Sequence, residues 1–166
     1  MNFEGWNGHE EDSEEETHGY SSNLRMTNKA SLTTVAIPDS VESIGIFAFA
    51  DCKELTSVTI PDSVTEIGKG AFLGCSVLDN ATIPDSVTEI GSNAFKNCSN
   101  LNSVTIHDSV IEIGNNVFAN CSGLTSVTIS NKLDFTIKEA GFIVFPDHTQ
   151  ITIREEASPI HNSTNQ

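Results

Sequence analysis

The chain repeats itself every 23 residues, and that period limits its fold more than any other feature. Cysteines fall at 52, 75, 98 and 121, each 23 after the last. Pro38, Pro61 and Pro84 keep the same step, with His107 and Ser130 in the next two slots. Leu32, Leu55, Leu78, Leu101 and Leu124 open the units. A unit this short cannot bury its apolar side alone. Stability must come from stacking each unit on its neighbours, which is the logic of a solenoid.

The unit Leu55 to Val77 shows the internal pattern. Leu55, Val58 and Ile60 follow strand alternation, and Ser57 and Thr59 face the other way. Pro61-Asp62-Ser63 ends the strand, because Pro lacks the ladder donor and Asp or Ser can bond nearby backbone in a turn. Val64 and Ile67 return to the core, and Gly68 permits a sharp change of direction. Ala71, Phe72 and Cys75 have the spacing of one short helical or 3₁₀ turn pointing inward. The expected fold is a repeat solenoid of short parallel β-strands and short helical or 3₁₀ turns. Its expected core ladder is Phe49, Cys52, Phe72, Cys75, Phe95, Cys98, Phe118 and Cys121.

The repeat extends past its obvious end. One residue inserted after Asp134 restores the pattern, with Ile137 in the second Ile slot, Phe142 in the Phe slot and Phe145 in the Cys slot. Ile151 and Ile153 then match Val127 and Ile129, so residues 150–154 read as a partial sixth rung. Upstream, Met26 lies 23 before Phe49 and Lys29 lies 23 before Cys52, so residues 24–31 read as a half-unit cap. The expected organisation is an acidic disordered tail over 1–23, a solenoid over 24–154 with repeats from 32, and a polar tail over 155–166. The first tail packs Glu10, Glu11, Asp12, Glu14, Glu15 and Glu16 together, and like charges oppose compaction. Trp6, Phe3 and Tyr20 interleave with them, so a short linear motif is the alternative to a solubilising arm.

Charge then narrows the function classes. Lys plus Arg is 8 and Asp plus Glu is 23, a formal net charge of −15. A nucleic-acid binder needs a basic footprint, and anionic lipid also favours basic segments. The longest apolar run, Ile44 to Ala50, is seven residues, against about 20 for a bilayer-spanning helix. No nucleic acid and no membrane insertion are expected. The start of the sequence has no basic-then-apolar signal pattern, which favours the cytoplasm.

The outward strand positions form a candidate binding face: Ser57, Thr59, Asn80, Thr82, Ser103, Thr105, Ser126 and Thr128. The face is small and uncharged. β-branched Thr suits strands, so a structural role stands beside a recognition role. The face lacks Trp, Tyr and Arg, the usual hot-spot residues, so binding there is expected to be weak or multivalent.

The Cys column invites disulfide or metal readings, but Cys also packs as a small hydrophobe. Close Cys pairs of the zinc-knuckle kind are absent. Asp39, Asp62, Asp85 and Asp108 form a second column, and Glu66, Glu89 and Glu112 a third. Turn capping is one reading of the Asp column. A calcium-binding edge is the other, although it needs several oxygens converging on one point. His9, His18, His107, His148 and His161 join no recurrent Ser and Asp cluster, so no catalytic residue and no cofactor are expected.

Thr82-Ile-Pro-Asp-Ser-Val-Thr-Glu-Ile-Gly91, followed by Ala94-Phe95 and Cys98, resembles the BspA-type, or Treponema pallidum-type, leucine-rich repeats. The resemblance spans about residues 24–154. It implies a leucine-rich repeat stack and a non-enzymatic protein-binding scaffold. It also implies, as alternatives, surface adhesion or a structural role through avidity, with surface or secreted location. A glycan or matrix component is then a further partner. A β-helix-type enzyme is the remote rival, since it also stacks short strands.

Overall fold

The computed structural model describes residues 23–24, 31–130 and 145–154. The expected acidic segment before Asn23, the polar tail 155–166 and Phe142 lie outside the described residues. Among the described residues there are eleven strands, β1 (Asn23–Leu24), β2 (Thr34–Ala36), β3 (Ser43–Ile44), β4 (Ser57–Thr59), β5 (Glu66–Ile67), β6 (Asn80–Thr82), β7 (Glu89–Ile90), β8 (Ser103–Ile106), β9 (Glu112–Ile113), β10 (Ser126–Ser130) and β11 (Gln150–Arg154). They form two parallel sheets. The longer has six strands in the order β11-β10-β8-β6-β4-β2, and the shorter has five in the order β1-β3-β5-β7-β9. The four rungs from β2 to β9 each contribute one strand to each sheet, and the core lies between them.

The register follows the period. Val35 opposes Val58, Val58 opposes Ala81, and Val104 opposes Val127. In the shorter sheet Ile44, Ile67, Ile90 and Ile113 align. Stacked identical residues give each rung the same contacts as its neighbours, and successive strands lie about 4.8 Å apart. At the ends the offset changes. Ser126 opposes Gln150, one residue beyond the period, and Leu24 opposes Ile44. A strict 23-residue step places residue 21 opposite Ile44, so the first strand pairs three residues out of the expected alignment.

The expected helical or 3₁₀ turns are corrected by the hydrogen bonds. No helix of either kind occurs among the described residues. Over residues 68–75 alternate amides close local turns: Ala71 N–H to Gly68 O at 3.1 Å, Leu73 to Gly70 at 3.0 Å, Cys75 to Phe72 at 3.2 Å. The amides between them cross to the next rung: Gly70 N–H to Ser92 O at 3.0 Å, Phe72 to Ala94 at 2.8 Å, Gly74 to Lys96 at 2.8 Å. A 3₁₀ helix needs consecutive amides to bond within the segment. Here every second one is committed to a neighbour.

The backbone also reverses hand twice per rung. Gly70 and Gly74 have φ of 61° and 74°, and Asn93, Asn97, Asn116 and Asn120 repeat this at 59°, 64°, 57° and 61°. Gly and Asn tolerate that left-handed region best. Phe47 and Asp51 hold the same two slots in the first full rung, at 55° and 60°. Gly68, directly after β5, also meets a steric demand. A Cβ there would come 2.7 Å from Ile44 O, so glycine allows close approach of adjacent rungs.

The core is a set of columns. Phe49, Phe72, Phe95 and Phe118 are fully buried, and their rings stack at 5.2, 5.1 and 5.7 Å between centroids. Phe145 continues this stack at 5.6 Å from Phe118. It therefore joins the Phe column and not the expected Cys slot, and the Cys column ends at Cys121. The near-parallel rings, within 17° at every step, follow from rung spacing, which holds identical side chains in one orientation. Phe95→Ala is expected to cost about 3–5 kcal/mol, from lost burial plus the cavity left behind. Urea denaturation measures it, and a cost below about 1 kcal/mol contradicts the packing.

Candidate functional site

Hydroxyl groups divide into two populations. Those flanking the strands bond to the preceding rung: Thr56 Oγ1–H to Thr33 O at 3.0 Å, Thr65 to Glu42 and Thr88 to Thr65 at 3.2 Å each, Thr125 to Asn102 at 3.2 Å. Those on the outer face of the longer sheet do not. Ser57, Thr59, Thr82, Ser103, Thr105, Ser126 and Thr128, with the amide of Asn80, have no side-chain partner among the described residues. They stand in two columns, since Ser57, Asn80, Ser103 and Ser126 align and so do Thr59 and Thr82, and Thr105 and Thr128. All are exposed or half-exposed, while Val58, Ala81, Val104 and Val127 between them are buried. Strand alternation positions this face, and its polar groups remain available to water or a ligand.

A groove of about 740 Å³ borders the face, lined by Thr59, Thr82, Asp62, Asp85, Ser86 and His107 among others. His107 Nδ1 lies 2.5 Å from Asp85 Oδ1. Asp85 is otherwise open, with 82% of its side chain exposed, and can accept a second donor. Sequence reasoning placed Asp62 and Asp85 in turns and did not join them to the face. The available signal was the break of the proline column at His107. Nearby, Ser63 and Ser86 donate to Val41 O and Val64 O at 2.7 and 2.6 Å. Ser109 Oγ, one period further on and two residues past His107, is buried without a partner.

The Glu column is in register, with Glu66 opposite Glu89 and Glu89 opposite Glu112. These three line a smaller hollow of about 230 Å³. Among the described residues no three His, Cys, Asp or Glu side chains are placed to hold a metal ion. Among them, too, no helix is long and apolar enough to cross a membrane.

The four cysteines are buried thiols, and none is in a disulfide. Cys75, Cys98 and Cys121 each donate S–H to a phenylalanine carbonyl of the preceding rung, Phe49, Phe72 and Phe95, at 3.1 Å. A hydrogen bond with Cys52, then burial, raises the Cys75 thiol far above its ordinary value. Burial first, then the neighbouring Cys121, raises Cys98. Burial pushes Cys121 up to about 12. Such thiols are poor nucleophiles at neutral pH.

A thiol pKa raised by folding favours the native state while the unfolded thiol stays protonated. That contribution is lost as pH rises, from the ordinary value of 9.0 toward about 12 for Cys121. The urea midpoint is therefore expected to fall between about pH 9 and pH 12, and Cys121→Ala is expected to flatten the fall. An unchanged slope in the variant contradicts the assignment.

The 166-residue chain matches the BspA-type leucine-rich repeat region over residues 25–163, as six copies. No match was found among curated proteins. Solved structures resemble it well. A leucine-rich repeat protein from Bacteroides ovatus is 26% identical with a TM-score of 0.66, covering 82% of this chain and 38% of that one. A leucine-rich cell surface protein from Faecalibacterium prausnitzii is also 26% identical, TM-score 0.68, covering 82% and 36%. The T. pallidum leucine-rich repeat protein is 28% identical, TM-score 0.53, covering 63% and 61%. The chain thus spans under two-fifths of the length of the first two structures. With its repeat period, parallel rungs and family match in agreement, the chain belongs to the BspA-type leucine-rich repeat family.

Proposed function

We propose that the chain is a non-enzymatic interaction module that meets a protein partner through the outer face of the longer sheet and the groove beside it. The observation that carries this is the division of hydroxyls. Stacking uses the hydroxyls flanking the strands and leaves Ser57, Thr59, Thr82, Ser103, Thr105, Ser126 and Thr128 unspent. The carboxylates of Asp62 and Asp85 at the groove, with a formal chain charge of −15, favour a basic contact on the partner. Repeat solenoids commonly bind along such extended faces. In this reading the protein acts in the cytoplasm.

The second reading is adhesion by avidity. It draws on the F. prausnitzii structure, which is of a cell surface protein. It also draws on a face without Trp, Tyr or Arg, where one copy binds weakly and many bind well. Its partner is then a surface protein, a glycan or a matrix component, and the protein is displayed or shed.

Affinity capture with the full chain, from lysate and from surface extract of the source organism, tests both. The double variant Thr82→Arg, Thr105→Arg is the control. Exposed substitutions of this kind change stability by within about 0.5 kcal/mol. Capture that drops at least about tenfold, a loss of about 1.4 kcal/mol, supports the face as the site. Capture unaffected by both arginines contradicts it. The fraction that yields the partner decides between the two readings.

A further inference from the structure

The two ends of the stack differ. At the β2 end the first apolar strand residues are covered, with Val35 and Ile37 at 6% exposure each. At the β11 end Ile151 and Ile153 are 47% and 40% exposed, and all five residues of β11 are exposed. These isoleucines align with Val127 and Ile129, which are buried, so they face the core side of the last described rung and stay far more open than their counterparts. β11 is also the last strand of the longer sheet, and among the described residues its outer edge pairs with nothing. An exposed apolar edge with free N–H and C=O groups is a template for another strand.

We infer that β11 is the contact of a two-fold dimer formed by two copies of this chain. The sequence Gln150-Ile-Thr-Ile-Arg154 is self-complementary when paired antiparallel about Thr152. Ile151 of one copy then opposes Ile153 of the other, twice, and Thr152 opposes itself. Arg154 opposes Gln150, so no like charges meet. Opposed residues of an antiparallel pair share a face. The four isoleucines therefore join the two cores on one side, while the hydroxyl columns continue on the other. A two-residue shift toward Ile153 sets Thr152 against Arg154 and Ile151 against Glu155, so apolar pairing fixes the register. Head-to-tail stacking through the longer sheet lacks the same support, because Val35 in β2 and Ile37 beside it are already covered. A two-fold contact uses one patch twice and closes at two copies.

Sedimentation equilibrium of the full chain tests this from about 10 µM to about 1 mM, a high range because one added strand is a small interface. The expected result is a monomer–dimer equilibrium reaching twice the chain mass. Ile153→Lys is expected to weaken association at least about tenfold while leaving the thermal melt of the dilute monomer nearly unchanged, since the residue is 40% exposed in the single copy. Thr152→Cys, at the axis, is expected to form a disulfide-linked dimer on mild oxidation much faster than Thr59→Cys on an inner rung, because directly opposed antiparallel residues lie within disulfide reach. A monomer at every concentration overturns the inference. So does a dimer that survives Ile153→Lys, equal cross-linking of the two cysteine variants, or assembly that keeps growing with concentration.

Discussion

Every rung of this protein depends on hydrogen bonds that leave it. In the strands the backbone pairs with the preceding and following rung, as in any parallel sheet. In the turns the same holds for every second amide, from Phe47 bonding to Lys69 O through Asn97 bonding to Ala119 O. An isolated rung would leave those groups to water and expose its Phe and Cys side chains. Neighbours satisfy the backbone and cover the core in one step, so packing and hydrogen bonding cannot be gained separately. The Cys column ties the two together, because Cys75, Cys98 and Cys121 each reach the carbonyl of the Phe one rung back.

The period and the parallel strands were legible because they rest on signals local to the sequence. Leu55, Val58 and Ile60 alternate, and the cysteines mark the step without ambiguity. The turns were misread for a physical reason. Ala71, Phe72 and Cys75 point inward with a spacing that fits one helical turn and also fits a ribbon of alternating local and cross-rung bonds. The sequence did hold a discriminating mark: Gly70 and Gly74, then Asn93 and Asn97, then Asn116 and Asn120. Two residues per rung that tolerate positive φ, four apart, are incompatible with a right-handed helix. The shorter sheet escaped for want of length, since β3, β5, β7 and β9 have two residues each and show no alternation.

The site was less legible than the fold. Strand alternation identifies which side chains leave the core, but not which hydroxyls are already bonded. Thr56 and Thr59 are the same residue type in one unit, yet only Thr56 bonds to a neighbouring carbonyl. The groove was hidden because its lining comes from three successive rungs, Asp62, Asp85 and His107. A period aligns such residues, but the contact between His107 and Asp85 depends on a histidine replacing proline at a single rung. At the C-terminal end the Phe column passes to Phe145, 27 residues after Phe118, where the repeat with one residue inserted after Asp134 points to Phe142.

Native-state hydrogen exchange at the turn amides tests this coupling most directly. Phe72, Gly74, Phe95 and Asn97 donate across rungs from segments that belong to no strand. Dependence of every rung on its neighbours predicts that these amides exchange only through global opening, with the same free energy as Val58 in β4 and as unfolding in urea. Opening free energies at the four turn positions, taken from exchange relative to each amide's intrinsic rate, that fall more than about 1.4 kcal/mol below that of Val58 show that the turns open on their own, and contradict the coupling.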